Sequence, residues 1–129
     1  MTDPRYLLDS NICIYLLEGL SVPARVRAER CVPGELATSS ICCAEVLKGI
    51  DPSDMGAMRA VDALFRVCVV LPFDEVAARA YQLVPFRRAR FDRLIGAHAL
   101  ALGITVVTNN EEEFADIPGL TIANWTLPL

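Results

Sequence analysis

A chain of 129 residues with 53% hydrophobic content is long enough for one domain with a true core, and its net charge of −4 argues against nucleic-acid binding through bulk charge. Its longest apolar runs, such as residues 67–73, are far too short to cross a bilayer, and no basic segment followed by a long apolar stretch opens the chain. The expectation is a soluble, cytoplasmic protein with no membrane association, folded as one domain over residues 1–129.

The elements follow in order. Residues 5–8 predict a short buried strand, and Asp9 or Ser10 caps a helix that runs to about Glu18. Residues 22–30 predict a second helix, with Ser21 as its N-cap and Pro23 in its first turn. Pro33 and Gly34 break the chain before a strand at residues 36–39; Ser40 then caps a helix carrying Glu45 and ended by Gly49. A helix begins within residues 51–54, with Met58, Val61, Leu64 and Phe65 at helical spacing, and residues 67–71 predict a strand. Asp74 caps the next helix, which passes Tyr81 and closes by Pro85. Residues 91–102 predict an apolar helix ended by Gly103, then a strand at 104–108, a short acidic turn at 111–114 and a last strand near 120–123. The alternation of strands and helices predicts an α/β domain, a central, mostly parallel sheet flanked by helices.

The five cysteines are odd in number, lack a C-x-x-C pair and have only His98 as a histidine companion, so buried free thiols are expected rather than a zinc site. His98, alone on an apolar helix, is expected to be structural.

Four acids stand at the start or end of elements: Asp9 after the first strand, Glu45 and Asp92 in helices, and Glu113 past the fourth strand. In a parallel sheet, ligand sites form beyond the carboxyl ends of the strands, where all four acids can meet. Clustered carboxylates repel one another, so a fold that gathers them is suited to a hard cation such as Mg²⁺. Each acid also has a plainer reading. Asp9 can serve as an N-cap, Asp92 can complement a helix dipole, Glu45 can pair with an arginine or Lys48, and Glu113 can belong to a solvated acidic run. Asn11, Thr108, Asn109 and Asn110 supply amide and hydroxyl groups suited to orienting ligands or waters. Of the 12 basic residues, all but Lys48 are arginine, and Arg87, Arg88, Arg90 and Arg93 crowd around Asp92. They either grip phosphate oxygens or form a solvated loop that offsets the acids. No phosphate-binding G-x-x-x-x-G-K-[ST], dinucleotide G-x-G-x-x-G or nucleophile-elbow G-x-S-x-G occurs.

The segments YLLDSNICIYLL, SSICCAEVLKG, FDRLIGAHALALGITVVTNNEEEF and IPGLTIANW, in this order, resemble a PIN-domain protein and, more narrowly, the VapC toxins of bacterial toxin–antitoxin modules. The resemblance implies that Asp9, Glu45, Asp92 and Glu113 bind Mg²⁺ or Mn²⁺, with Thr108 and Asn110 in support. It further implies an endoribonuclease, commonly dimeric, that a cognate antitoxin silences in a hetero-oligomer. Two departures stand out. The segment between Tyr81 and Asp92 is short for the family, and Asn110 stands where many PIN domains carry an aspartate. A non-catalytic PIN-like binding module and a DNA-directed nuclease are the competing expectations.

Overall fold

Strands of two to four residues joined by capped helices build the domain, seen in a computed structural model that describes residues 3–88 and 91–129. The order is β1 (Tyr6–Leu8), α1 (Ser10–Glu18), α2 (Val22–Glu29), β2 (Leu36–Ser39), α3 (Ser40–Lys48), α4 (Met55–Val67) and β3 (Val69–Leu71). It continues with α5 (Glu75–Ala80), a 3₁₀ turn (Tyr81–Leu83), α6 (Phe91–Leu102), β4 (Thr105–Val107), a second 3₁₀ turn (Glu111–Glu113) and β5 (Ile122–Ala123). The caps follow from residue chemistry. Asp9, Ser21, Ser39, Asp54 and Asp74 each accept a backbone N–H of the first turn they precede. Gly19 ends α1 in the left-handed region at φ 66°, where a Cβ would be strained.

The five strands form one sheet in the order β3-β2-β1-β4-β5, and every pairing is parallel. From β1 the chain lays β2 and β3 on one side and β4 and β5 on the other. The order therefore reverses between β1 and β4, and a crevice opens there at the strand ends. Register pairs Leu8 with Thr38 on one flank and with Val107 on the other. Alternation along the strands splits the core into two layers. Leu7, Ala37 and Val106 pack with Ile95, Ala99 and Phe114; Leu8, Leu36 and Val107 pack with Ile12, Val61 and Trp125.

Several boundaries differ from the sequence-based expectation. Ser39 rather than Ser40 caps α3, its hydroxyl accepting the Ile41 N–H at 3.2 Å. Helix α4 starts at Met55 and keeps Val67, so β3 begins only at Val69, after Cys68 has turned to extended backbone. All five cysteines are free; Cys13, Cys42 and Cys68 are buried, but Cys31 and Cys43 are only half-buried. Burial pushes the Cys13 and Cys42 thiols up, with the neighbouring Cys68 acting first on Cys13, which leaves them chemically quiet. Among the described residues no helix is long and apolar enough to cross a membrane.

Candidate active site at the sheet crevice

Asp9 follows β1 directly and lies opposite Thr108, which follows β4, so the crevice places them side by side. The Asp9 backbone N–H donates to Val107 at 3.0 Å, and its Oδ1 accepts the Ile12 N–H at 2.9 Å. The carboxylate is thus both helix cap and site residue, and it is only 2% exposed. Burial raises its pKa to about 6 from an ordinary 3.8, although the Thr108 hydroxyl and the Ile12 N–H pull the other way. The charges of Asp92 and Glu45 raise it further.

Glu45 comes from the middle of α3 and Asp92 from the first turn of α6. Desolvation raises Glu45, a hydrogen bond with the Ser10 side chain lowers it, and Asp92 adds to the raising. Glu45 Oε1 is buried without a hydrogen-bond partner. Neither an arginine nor Lys48 pairs with Glu45 among the described residues, contrary to one plain reading of the sequence; Ser10 takes that place. The structure therefore brings Asp9, Glu45 and Asp92 into one electrostatic group. Glu113 ends the 3₁₀ turn past β4 and is half-buried, with its backbone carbonyl held by Arg93 at 2.9 Å.

The supporting residues divide. Thr108 is fully buried and accepts the Asn110 N–H at 2.9 Å, fixing the turn as well as bonding Asp9. Asn11 and Asn110 are exposed at the rim, and the Asn110 side chain makes no capping bond. Asn109 donates to the Tyr15 hydroxyl at 2.9 Å and leaves its Oδ1 buried without a partner.

The arginine segment is corrected at one position. Arg93 is 0% exposed and forks onto both oxygens of Asp116 at 2.7 and 3.0 Å, so it clamps the turn rather than meeting an RNA backbone. That guanidinium holds the Asp116 carboxyl below the usual carboxylate range. Arg87 reaches the same aspartate at 3.4 Å but remains part-exposed, and Arg88 is exposed. Arg90 lies outside the described residues. His98 is structural, as expected, with Nδ1 at 2.9 Å from Ser39 Oγ and its ring edge-on to Phe73.

Among the described residues no three His, Cys, Asp or Glu side chains close into a metal cage. Carboxylate oxygens from three elements, one of them partnerless, nevertheless suit Mg²⁺ or Mn²⁺, since Mg²⁺ takes one or two carboxylates and keeps several waters. The residues fit an ion held largely by water.

The PIN domain family matches residues 6–120, a span that contains all four acids. The chain belongs to the PIN-domain family. This PIN domain is 30% identical over 132 residues to the tRNA(fMet)-specific endonuclease VapC of Shigella flexneri, covering 95% of this chain and 98% of that protein. It is 32% identical over 131 residues to ribonuclease VapC1 of Haemophilus influenzae strain R2866, covering 94% of this chain and 98% of that protein. Its fold superposes on a chain of the DNA-bound VapBC crystal structure from Salmonella typhimurium with a TM-score of 0.82 at 27% identity, over 95% of this PIN domain and 98% of that chain.

Sequence reasoning missed Ser10 as the partner of Glu45 and Ser39 as the anchor of His98. Both serines sit at helix starts, where capping is sufficient explanation, and no local signal marks the second role.

Proposed function

We propose that this PIN domain is the toxin of a toxin–antitoxin module, a VapC-type endoribonuclease that hydrolyses RNA phosphodiester bonds with Mg²⁺, or Mn²⁺ in its place. The observation that carries the reading is the gathering of Asp9, Glu45 and Asp92 at the crevice, with Asp9 raised to about 6 by burial and by the other two charges. Capping explains an acceptor at position 9, but it does not explain a charged carboxylate held beside two others at a cost in desolvation and repulsion.

Asp9 and Asp92 would hold the principal ion, with Glu45 and Glu113 completing the site. Bound there, the ion supplies a water of lowered pKa and neutralises charge that develops on the phosphate. The chain's own groups do the rest. The Thr108 hydroxyl and the Ile12 N–H fix the Asp9 carboxylate, and the Ser10 side chain orients Glu45. Glu45 Oε1, with no partner of its own, accepts a hydrogen bond from the attacking water. Arg87 and Arg88, part-exposed and exposed, steer the RNA backbone toward the crevice.

The partner is a cognate antitoxin protein. Ile14, Leu16 and Leu17 of α1 line two grooves of about 210 and 550 Å³ away from the acids, and these suit an apolar segment of that partner. The protein acts in the cytoplasm, as a homodimer when free and in a hetero-oligomer when silenced.

Purified, antitoxin-free protein incubated with a mixed RNA pool tests the reading. Discrete cuts that require Mg²⁺, vanish in EDTA and are abolished by Asp9→Asn and by Asp92→Asn are expected; a matched DNA pool should stay whole. Folded protein that cuts RNA with neither Mg²⁺ nor Mn²⁺ would instead favour a binding module.

A further inference from the structure

Helices α3 and α6 each bring one acid to the crevice, and a second contact joins the same two segments. Ser39, the cap of α3, has its Oγ 2.9 Å from Nδ1 of His98 on α6. The two contacts are evenly spaced. Glu45 stands six residues after Ser39 and Asp92 six residues before His98, a rise of about 9 Å for a helix. The bonded pair and the acid pair are thus two rungs between α3 and α6, and Asp92 is close enough for its charge to act on Glu45.

The bonded pair is deeply buried, with Ser39 0% and His98 2% exposed. The Phe73 ring stands edge-on to the imidazole with centroids 5.5 Å apart. The Phe73 N–H donates to Ser40 Oγ at 3.0 Å, which ties the turn before α5 to the start of α3. Desolvation lowers the His98 pKa from 6.5 although the charge of Asp74 opposes it, so the ring is uncharged at neutral pH. Ser39 Oγ already accepts the Ile41 N–H at 3.2 Å. A neutral ring completes that hydroxyl, either by accepting its proton at Nδ1 or by donating to its second lone pair. Burying an imidazole costs desolvation that a leucine on the same apolar helix would avoid. What the imidazole adds is direction. Apolar contacts let packed helices slide, whereas a hydrogen bond is met only within about half an ångström.

We propose that His98 is a positioning residue: through Ser39 it fixes the start of α3 against α6, and thereby sets the distance between Glu45 and Asp92 at which the cation binds. The proposal rests on the metal-dependent reading above. The role of His98 is structural, and what it structures is the acid group.

Mn²⁺ is the probe, its free fraction read by electron paramagnetic resonance during titration into the whole protein, with urea unfolding recorded for each variant. His98→Leu keeps an apolar side chain suited to a helix but offers Ser39 no bond. His98→Asn places its amide where Nδ1 stands and keeps the bond, but gives up the ring contact with Phe73. The pair separates position from packing. Mn²⁺ binding about tenfold weaker is expected in His98→Leu, the order found for outer-shell partners of metal ligands. Near-unaltered binding is expected in His98→Asn despite a lower urea midpoint. Affinity that follows the urea midpoint instead, or that is unchanged in His98→Leu, would overturn the proposal. Ser39→Ala removes the bond from the other side and should weaken binding by the same factor, with the two changes together costing no more than one of them. Full affinity in Ser39→Ala, or losses that multiply, would also overturn it. The reading beneath is checked on the same titration. No Mn²⁺ uptake, or uptake that Asp92→Asn leaves intact, removes the ion site and the proposal with it. Uptake that needs Asp92 but is indifferent to His98 removes only the positioning role. Uptake that needs both, without cuts in an RNA pool, keeps that role and removes the nuclease.

Discussion

Asp9 is where the site and the fold make opposite demands on one side chain. As the cap of α1 it contributes a hydrogen bond to Ile12, yet its burial opposes ionisation and holds its pKa near 6. The folded chain therefore binds the Asp9 proton more tightly than the unfolded chain, whose value is close to 3.8. Between those two values the native state carries the extra proton, so the contribution of Asp9 to metal-free stability is greatest at the acid end and falls as pH rises toward 6, then levels. The interval corresponds to about 3 kcal/mol at about 1.4 kcal/mol per pH unit. Asp9→Asn keeps a side-chain oxygen for the cap but has no charge to bury. In EDTA, the unfolding free energy from urea titrations should therefore favour Asp9→Asn progressively from pH 4 to 6, and then by a constant margin. A difference between the two proteins that does not change with pH would mean that Asp9 is not desolvated as the structure has it. At this scale the sequence was informative about position and poor at partnership. Asp9 could be placed at a strand end from Tyr6, Leu7 and Leu8 alone, and His98 could be given a structural role from its apolar helix. The fork of Arg93 onto Asp116 could not be read, because its partner is 23 positions away and the surrounding arginines look alike.

Helix α6 carries Asp92 and must be held at a fixed depth against the turn that carries Glu113. Gly96 sets that depth. A Cβ built there would stand 2.6 Å from Ile117 Cδ1 and 3.3 Å from Phe114 Cδ1, and both of those side chains are buried. Gly96→Ala thus gains helix propensity but overpacks the seam, and the second effect is larger because a packed core gives way only by moving. A net loss of about 1–3 kcal/mol is expected, seen as a lower urea midpoint with an unchanged slope. An equal or higher midpoint would show that Ile117 swings aside at no expense. Some caps that delimit such elements were legible, since Ser21 and Asp74 announce themselves by residue type, whereas Asp54 could not be singled out from the other capping candidates within residues 51–54. The α4–β3 junction was not. Val67 and Cys68 continue into Val69 and Val70 as one apolar run, and periodicity cannot say where such a run stops being helix and becomes strand. Tertiary placement of β3 at the sheet edge decides it.

At the scale of the whole molecule, the order of strands and helices predicted a parallel α/β domain, and all-parallel pairing with a reversal between β1 and β4 is what forms. The closure of the chain on itself was not legible, because it depends on a contact between α2 and the C-terminal segment. Arg27 donates to the carbonyls of Trp125 at 2.8 Å, of Leu127, and of Pro128 at 3.1 Å. Trp125 stands edge-on to Tyr6 with ring centroids 4.9 Å apart, so the tail is pinned against the start of β1. β5 lies just before that pinned segment, and its Ala123 carbonyl accepts the N–H of Thr108 at 3.0 Å. A clamp at the base of the sheet is thereby linked, through a two-residue edge strand, to the residue that orients Asp9. Such a short strand has little ladder of its own, and its stability depends on what anchors its flanks. Arg27→Ala should lower global stability by about 1–2 kcal/mol, since part of the lost bonding is solvent-exposed. It should also speed hydrogen exchange at the Thr108 amide by more than at Val46, inside α3. Lysine at position 27 should restore little of this, because one ammonium cannot span three carbonyls as the guanidinium does. If Thr108 exchanges no faster in Arg27→Ala than in the unaltered chain, β5 holds without the clamp and the tail is decoupled from the acids.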